Sequence, residues 1–172
     1  PENSTNRAIE LTNELSSKLA LHFDGDLITG RFEDHHIVNK YDAIVMNPPF
    51  GQGGKLAAEH VAKAITHLRD GGRIVALIPT GPAADKRFNE LLYGDDANPA
   101  IHKIAEIAMP GVTFERAGTS VATKILVLEK QANQELAAQL PSVSRDYTGI
   151  TSTKELFDRM ENLELEPRKA EL

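Results

Sequence analysis

Apolar residues recur every three or four positions in three stretches of the chain, and this spacing predicts amphipathic helices. The first stretch runs from Asn6 to Phe23, behind a cluster of polar residues that can cap a helix. The second runs from Lys55 to Leu68 and is followed by a glycine pair that can end it. The third spans Ala83 to Leu92. Each stretch predicts one helix.

Continuous apolar runs between these helices predict strands that are buried on both faces. The run Tyr41–Met46 stops at two prolines, which cannot continue a sheet ladder, and Pro79 closes the run Arg73–Ile78 in the same way. The segments Ile101–Met109 and Thr123–Glu129 also look like strands, with an irregular glycine-containing stretch between them. Alternation of such strands with amphipathic helices predicts an α/β fold with a largely parallel sheet.

Two segments are less regular. The residues around Asp26-Leu27-Ile28 are read as a brief strand or a loop. Residues 141–172 are polar and acidic, with a helical pattern only from Thr153 to Leu163. We therefore predict one folded domain over residues 1–140 and a polar acidic tail or linker over residues 141–172.

Composition narrows the possible functions only in part. The chain has 172 residues, of which 41% are hydrophobic and 26% charged, as in an ordinary globular protein, and no apolar run approaches the length of a membrane span. The lack of cysteine excludes disulfides, thiolate nucleophiles and cysteine-based zinc sites, and it suits a cytoplasmic location. The net charge of −6 disfavours a nucleic-acid binder acting alone, but it allows a catalytic domain whose partner carries the basic surface.

The strongest chemical signal is the tetrapeptide Asn47-Pro48-Pro49-Phe50, which directly follows the strand at Tyr41–Met46. Active sites of open α/β sheets lie at the carboxyl ends of the strands. An asparagine amide oxygen and a backbone carbonyl can accept both protons of an exocyclic amine, and a neighbouring aromatic ring can stack on the base that carries it. Acceptors placed in this way favour a tetrahedral nitrogen whose lone pair can attack an electrophilic methyl group.

This motif resembles the catalytic motif of the N6-adenine DNA methyltransferases, including the modification subunits of restriction systems. The resemblance implies that Asn47 and the carbonyl of Pro48 hold the target amine, that Pro49 fixes the loop and that Phe50 stacks on the flipped-out adenine. It also implies S-adenosylmethionine as the cofactor and DNA as the partner, with a separate target-recognition domain or subunit. No metal and no membrane are implied.

Other segments follow the order expected for the same family over about residues 20–130. Asp26 and Leu27 resemble residues that contact the adenine moiety of the cofactor. Phe114 lies in a segment that resembles the C-terminal antiparallel hairpin, where an aromatic residue often packs against the target base. The implied fold is a Rossmann-like methyltransferase sheet, mostly parallel with a C-terminal antiparallel hairpin.

One departure from the family concerns the cofactor site. The sequence contains no aromatic-x-Gly-x-Gly loop, and we find no acidic residue at the end of a second strand that would bind the cofactor ribose. We therefore expect a methyltransferase sheet that is incomplete at the N-terminus, a partial catalytic domain over residues 1–140, and little activity from this chain alone. The segment Gly51–Gly54 follows the catalytic motif, and we read it as a mobile loop over the substrate rather than as a cofactor loop.

Two other functions remain open on sequence grounds. Similar motifs occur in methyltransferases that act on guanine N2 of ribosomal RNA and on a glutamine side chain of release factors. The chain could also be a non-catalytic methyltransferase remnant that acts as a binding module. Gly51 after the aromatic residue and the later Gly118-Thr119 pair favour the DNA enzymes.

Overall fold

The computed structural model describes residues 5–37, 40–111, 121–165 and 167–168. The chain forms two compact units, residues 1–38 and residues 39–172. The elements are, in chain order, β1 (Arg7–Glu10), α1 (Asn13–Leu19), β2 (Asp26–Thr29), β3 (Tyr41–Met46), α2 (Lys55–His67), β4 (Leu68–Pro79), α3 (Pro82–Tyr93), β5 (Ile101–Ala108), β6 (Thr123–Lys130), α4 (Gln134–Ala138), β7 (Val143–Asp146) and α5 (Thr153–Glu161). The predicted α/β class is confirmed. Within the described ranges, no helix has the length and apolar character needed to cross a membrane.

The first unit is a β–α–β segment in which β1 and β2 pair in parallel. The prediction of one helix from Asn6 to Phe23 is wrong for its first part, because Arg7–Glu10 forms a strand instead. Thr12 has an extended backbone, and its hydroxyl accepts a hydrogen bond from the Leu15 amide at 3.3 Å. This N-cap fixes the start of α1 and leaves the residues before it free to pair with β2.

The second unit is built on a five-stranded sheet with the order β3-β4-β6-β5-β7. β3 pairs in parallel with β4, and β6 pairs in antiparallel fashion with both β4 and β5. The four strands predicted for this part of the chain all form. β4 begins at Leu68, earlier than predicted, and the sheet accommodates the glycine pair through a register shift between Tyr41 and Ala43.

One face of this sheet is covered by α2 and α3. The fully buried residues of α2 recur at the predicted helical spacing, at Ala57, Val61 and Ala64. α2 contacts β4, in which alternate residues, among them Ile74 and Ile78, are fully buried.

β3 is less buried than predicted. Among the described residues, it is an edge strand of this sheet and β4 is its one strand neighbour. Val45 is 81% exposed, and Ala43 is also exposed. A strand at the edge of a sheet can be as apolar as a central strand, and the sequence pattern alone does not distinguish the two positions.

The C-terminal segment is part of this sheet, which differs from the expected linker. β7 pairs in parallel with β5, so that Val143 lies opposite Ala105. Leu156 of α5 is buried in a cluster with Ile107 and Met109 on the sheet face opposite α2. α5 packs on the sheet because it carries an amphipathic stripe, which is enough to bury one turn of helix even in a polar segment.

This packing predicts different effects for two neighbouring residues of α5. Replacing Leu156, which is 6% exposed, with alanine is expected to lower the free energy of unfolding by about 2 kcal/mol. Replacing Phe157, which is 66% exposed, is expected to change it by less than about 0.5 kcal/mol. Urea denaturation followed by circular dichroism measures both. Equal effects for the two variants would show that α5 does not pack on the sheet.

Candidate active site

The motif Asn47-Pro48-Pro49-Phe50 lies where the sequence predicts it, directly after the last residue of β3. Because β3 and β4 are parallel, this position is at the same edge of the sheet as the end of β4. Asn47 is exposed, Pro48 is buried and Phe50 is half-buried. The motif is thus anchored through the first proline, with the asparagine amide on the outside.

The Asn47 side chain is available to a ligand. In the part of the chain that the structure describes, its amide makes no hydrogen bond, and the residue is exposed to solvent. An amide group at this position offers two lone pairs on its oxygen and two N–H donors. It can therefore accept a proton of a bound amine without first breaking an internal hydrogen bond.

A glycine turn connects the motif to α2. Gly51, Gly53 and Gly54 have φ angles of 66°, 56° and 74°, in the left-handed region that glycine adopts without strain. The Phe50 carbonyl accepts a hydrogen bond from the Ala57 amide at 3.3 Å. The turn therefore runs directly into the first turn of α2 and fixes the main chain on the C-terminal side of Phe50.

Ion pairs fix the start of α3 at the same edge of the sheet. The Asp85 carboxylate accepts a hydrogen bond from the Gly81 amide at 3.1 Å. It also pairs with the Lys124 ammonium at 2.9 Å, and Lys124 reaches Glu106 at 3.3 Å. Lys124 stands at the beginning of β6, and its side chain is only 12% exposed. Its charge therefore links α3 to the central strands.

The neighbouring lysines Lys103 and Lys124 lower the pKa of Glu106. Partial burial raises the pKa of Glu106, but a hydrogen bond from Lys103 and the charges of Lys124 and Lys103 outweigh it, so that the pKa lies below its ordinary value of 4.5. The charged form of Glu106 is therefore more favourable in the folded protein than in the unfolded chain.

This shift predicts a pH-dependent stability. Because the folded-state pKa is lowered, the contribution of Glu106 is fully present above about pH 4.5 and is lost as the pH falls through the lowered value. The difference in free energy of unfolding between wild type and Glu106→Gln is expected to be largest near neutral pH and to shrink on acidification. Urea titrations at several pH values measure it, with the exposed Glu135→Gln as a control. A difference that grows as the pH falls would contradict the assignment.

The first unit contains an acidic residue that the sequence analysis missed. Glu10 is the last residue of β1, at the carboxyl end of a parallel strand pair, opposite Thr29. One of its carboxylate oxygens accepts a hydrogen bond from the Thr12 amide at 3.2 Å. The structure therefore places an acidic residue at the end of a strand that the sequence analysis did not predict, and a contact of this residue with the cofactor ribose stays a prediction. Glu10 was missed because the sequence analysis treated Asn6 to Phe23 as one helix. Thr12, which can cap a helix that begins after it, is the signal that could have corrected this prediction.

The predicted cofactor residues lie at the other end of the same strand pair. Asp26 is the first residue of β2, and its carboxylate forms an ion pair with Arg7 at 2.9 Å. Leu27 follows it, opposite Ala8, and is half-buried. The roles of Asp26 and Leu27 stay predictions.

The second predicted aromatic contact cannot be placed. Phe114 lies outside the described residues. The structure brings together Asn47, Pro48, Pro49 and Phe50 as one group, and its role in binding stays a prediction as well.

Comparison with known protein families supports an assignment for the N-terminal half. The family model described as the methyltransferase small domain matches residues 3–92, which cover both strands of the first unit, the motif and most of α3. Among curated protein sequences, none matches this chain.

Solved structures with a similar fold include three with TM-scores of 0.58 or higher. A Listeria monocytogenes protein assigned as a class I S-adenosylmethionine-dependent methyltransferase has a TM-score of 0.64 at 14% identity, over 93% of this chain and 55% of that one. A chain from a type I restriction-modification system has a TM-score of 0.61 at 17% sequence identity, and the match covers 90% of this chain and 37% of that one. A Vibrio vulnificus protein assigned as the modification subunit of a type I restriction enzyme has a TM-score of 0.58 at 14% sequence identity, and the match covers 90% of this chain and 40% of that one. The likeness shows a shared fold, and the chain spans between about a third and just over half of these proteins.

Proposed function

The chain belongs to the methyltransferase small domain family, and from this premise we propose that it takes part in methyl transfer from S-adenosylmethionine to the N6 amine of adenine in DNA. The observation that carries the proposal is the exposed Asn47 amide between a strand end and the half-buried Phe50.

The motif suits an amine attached to an aromatic ring. Such an amine is a poor nucleophile, because its lone pair is delocalised into the ring. In our proposal the Asn47 oxygen and the Pro48 carbonyl accept its two protons, which localises the lone pair on nitrogen. Phe50 offers a ring on which a flipped-out base can stack. No separate general base is needed, because the amine loses its proton after methyl transfer.

The family and the fold imply S-adenosylmethionine as the cofactor. When bound, it supplies the electrophilic methyl group. Glu10 suits its ribose, because a carboxylate at the carboxyl end of a parallel strand can accept hydrogen bonds from both ribose hydroxyls. Asp26 and Leu27, which the sequence resemblance assigns to the cofactor adenine, lie at the opposite end of the strand pair from Glu10, so our proposal for this end of the pair uses Glu10 alone. Glu10 is thus the chain's own candidate for a contact that the sequence pattern left unassigned.

The proposed partners are DNA and a second protein component. Two of the similar structures come from type I restriction-modification systems, and the modification subunits of such systems work with other subunits. Because the net charge of this chain is −6, we propose that another segment or subunit binds the phosphate backbone of the DNA.

A labelled methyl group tests the proposal. The gene product, purified together with the protein component that binds it, is incubated with S-adenosylmethionine carrying a tritiated methyl group and with one of three substrates: duplex DNA, ribosomal RNA or a release factor. Hydrolysis and chromatography then identify the methylated product. We expect N6-methyladenine from DNA. Label in N2-methylguanine or in methylglutamine would overturn the DNA assignment in favour of another amine or amide, and label in none of the three would favour a non-catalytic role.

A further inference from the structure

A long-range hydrogen bond joins α3 to the glycine turn behind the motif. The Arg87 guanidinium donates through Nε to the Gly53 carbonyl at 3.0 Å. The two residues are 34 positions apart in the sequence. A charged donor makes a stronger hydrogen bond than a neutral one, so this contact can fix a backbone that is otherwise easily moved.

The turn needs such a contact because it has few side chains of its own. Three of its four residues are glycines with left-handed φ angles, and glycine leaves the backbone more freedom than any other residue. The turn instead lies close to α3. A Cβ atom at Gly53 would be 3.1 Å from the Cβ of Ala83, and one at Gly54 would be 2.9 Å from the Cβ of Ala84. The backbone of the turn therefore approaches α3 as closely as glycine permits.

α3 is a rigid support for this contact. Its first turn is tied to the sheet by the ion pair between Asp85 and Lys124, and its Phe88 side chain is buried. Arg87 lies between these two anchors on the exposed face of the helix. A displacement of the turn therefore requires the loss of the Arg87 bond, since the helix itself is held in place.

We propose that Arg87 is a positioning residue for methyl transfer: it holds the Gly53 carbonyl and thereby fixes the orientation of Phe50 and Asn47 at the strand end. The inference rests on the proposed function for its catalytic part. Gly51–Gly54 connects Phe50 directly to α2, so a shift of the turn moves the Phe50 ring relative to the Asn47 amide. Misplacement of reacting groups by about 1 Å can lower a rate about a hundredfold.

The structural part is tested by amide hydrogen exchange. Exchange of the peptide covering residues 50–57 is measured by mass spectrometry in wild type, Arg87→Ala, Arg87→Lys and the neighbouring exposed control Lys86→Ala. We expect exchange to be about tenfold faster in Arg87→Ala, close to wild type in Lys86→Ala and intermediate in Arg87→Lys, whose ammonium can also donate. Unchanged exchange in Arg87→Ala would overturn the proposal.

The catalytic part is tested with the same variants in the methyl-transfer assay. We expect kcat to fall about tenfold in Arg87→Ala with an unchanged KM for S-adenosylmethionine, and to recover partly in Arg87→Lys. An equal fall in Lys86→Ala, or a change in KM alone, would overturn the positioning role. Faster exchange in Arg87→Ala together with no activity in wild type would support the structural contact and overturn the proposed function, so the two failures are distinguishable.

Discussion

Replacing Asn47 with alanine is expected to lower kcat for methyl transfer by about a hundred- to a thousandfold. The Asn47 oxygen is the acceptor that holds one amine proton while positive charge develops on the nitrogen, and loss of one preorganised hydrogen-bonding group of this kind typically has an effect of that size. Cofactor affinity is expected to stay unchanged, because Asn47 is assigned to the substrate. Initial rates with labelled cofactor and isothermal titration calorimetry measure the two quantities.

Two variants separate this role from a general effect on the protein. Asn89→Ala removes an exposed amide from α3 and is expected to leave the rate within about twofold of wild type. Asn47→Asp keeps the acceptor oxygens and is expected to retain more activity than Asn47→Ala. A wild-type rate in Asn47→Ala would contradict the role of Asn47 on which the proposed function rests.

The parts of the fold that the sequence predicts are those specified by local pattern. The strands β4 and β6 each contain a run of successive apolar residues, and the helix α2 repeats its apolar residues with the helical period. The motif at Asn47–Phe50 is also local, because four consecutive residues and the preceding strand define it. Its position at a strand end then follows from the general geometry of α/β sheets.

The parts that could not be predicted depend on contacts between distant residues. Arg7–Glu10 matches a helical pattern as well as a strand pattern, and only its pairing with β2 decides between them. Because the helical pattern was chosen for this segment, Glu10 was not recognised as the last residue of a strand. β7 is short and mostly polar, so its place beside β5 is visible only in the folded chain. The Arg87 bond to Gly53 joins residues whose sequence neighbourhoods give no sign of the contact.

A buried ion pair in the central strands shows the same dependence on distant partners. Glu129 of β6 is fully buried, and Arg73 lies directly opposite it on β4. The Arg73 Nε donates to the Glu129 carboxylate at 2.9 Å, and the Gln131 amide donates to its other oxygen at 2.6 Å. The Arg73 side chain is itself only 17% exposed. The carboxylate therefore depends on these donors rather than on water.

Replacing Arg73 with methionine is expected to lower the free energy of unfolding by about 3–5 kcal/mol, because it leaves a buried carboxylate without its cation. The double variant Arg73→Met/Glu129→Leu is expected to regain most of the loss, since it removes the buried charge as well. Urea denaturation followed by circular dichroism measures both. Arg159→Met, which removes an exposed pairing with Glu155 on α5, is the control and is expected to change stability by less than about 0.5 kcal/mol. If the Arg73→Met variant were no less stable than this control, the Glu129 carboxylate would have to be satisfied by donors other than Arg73.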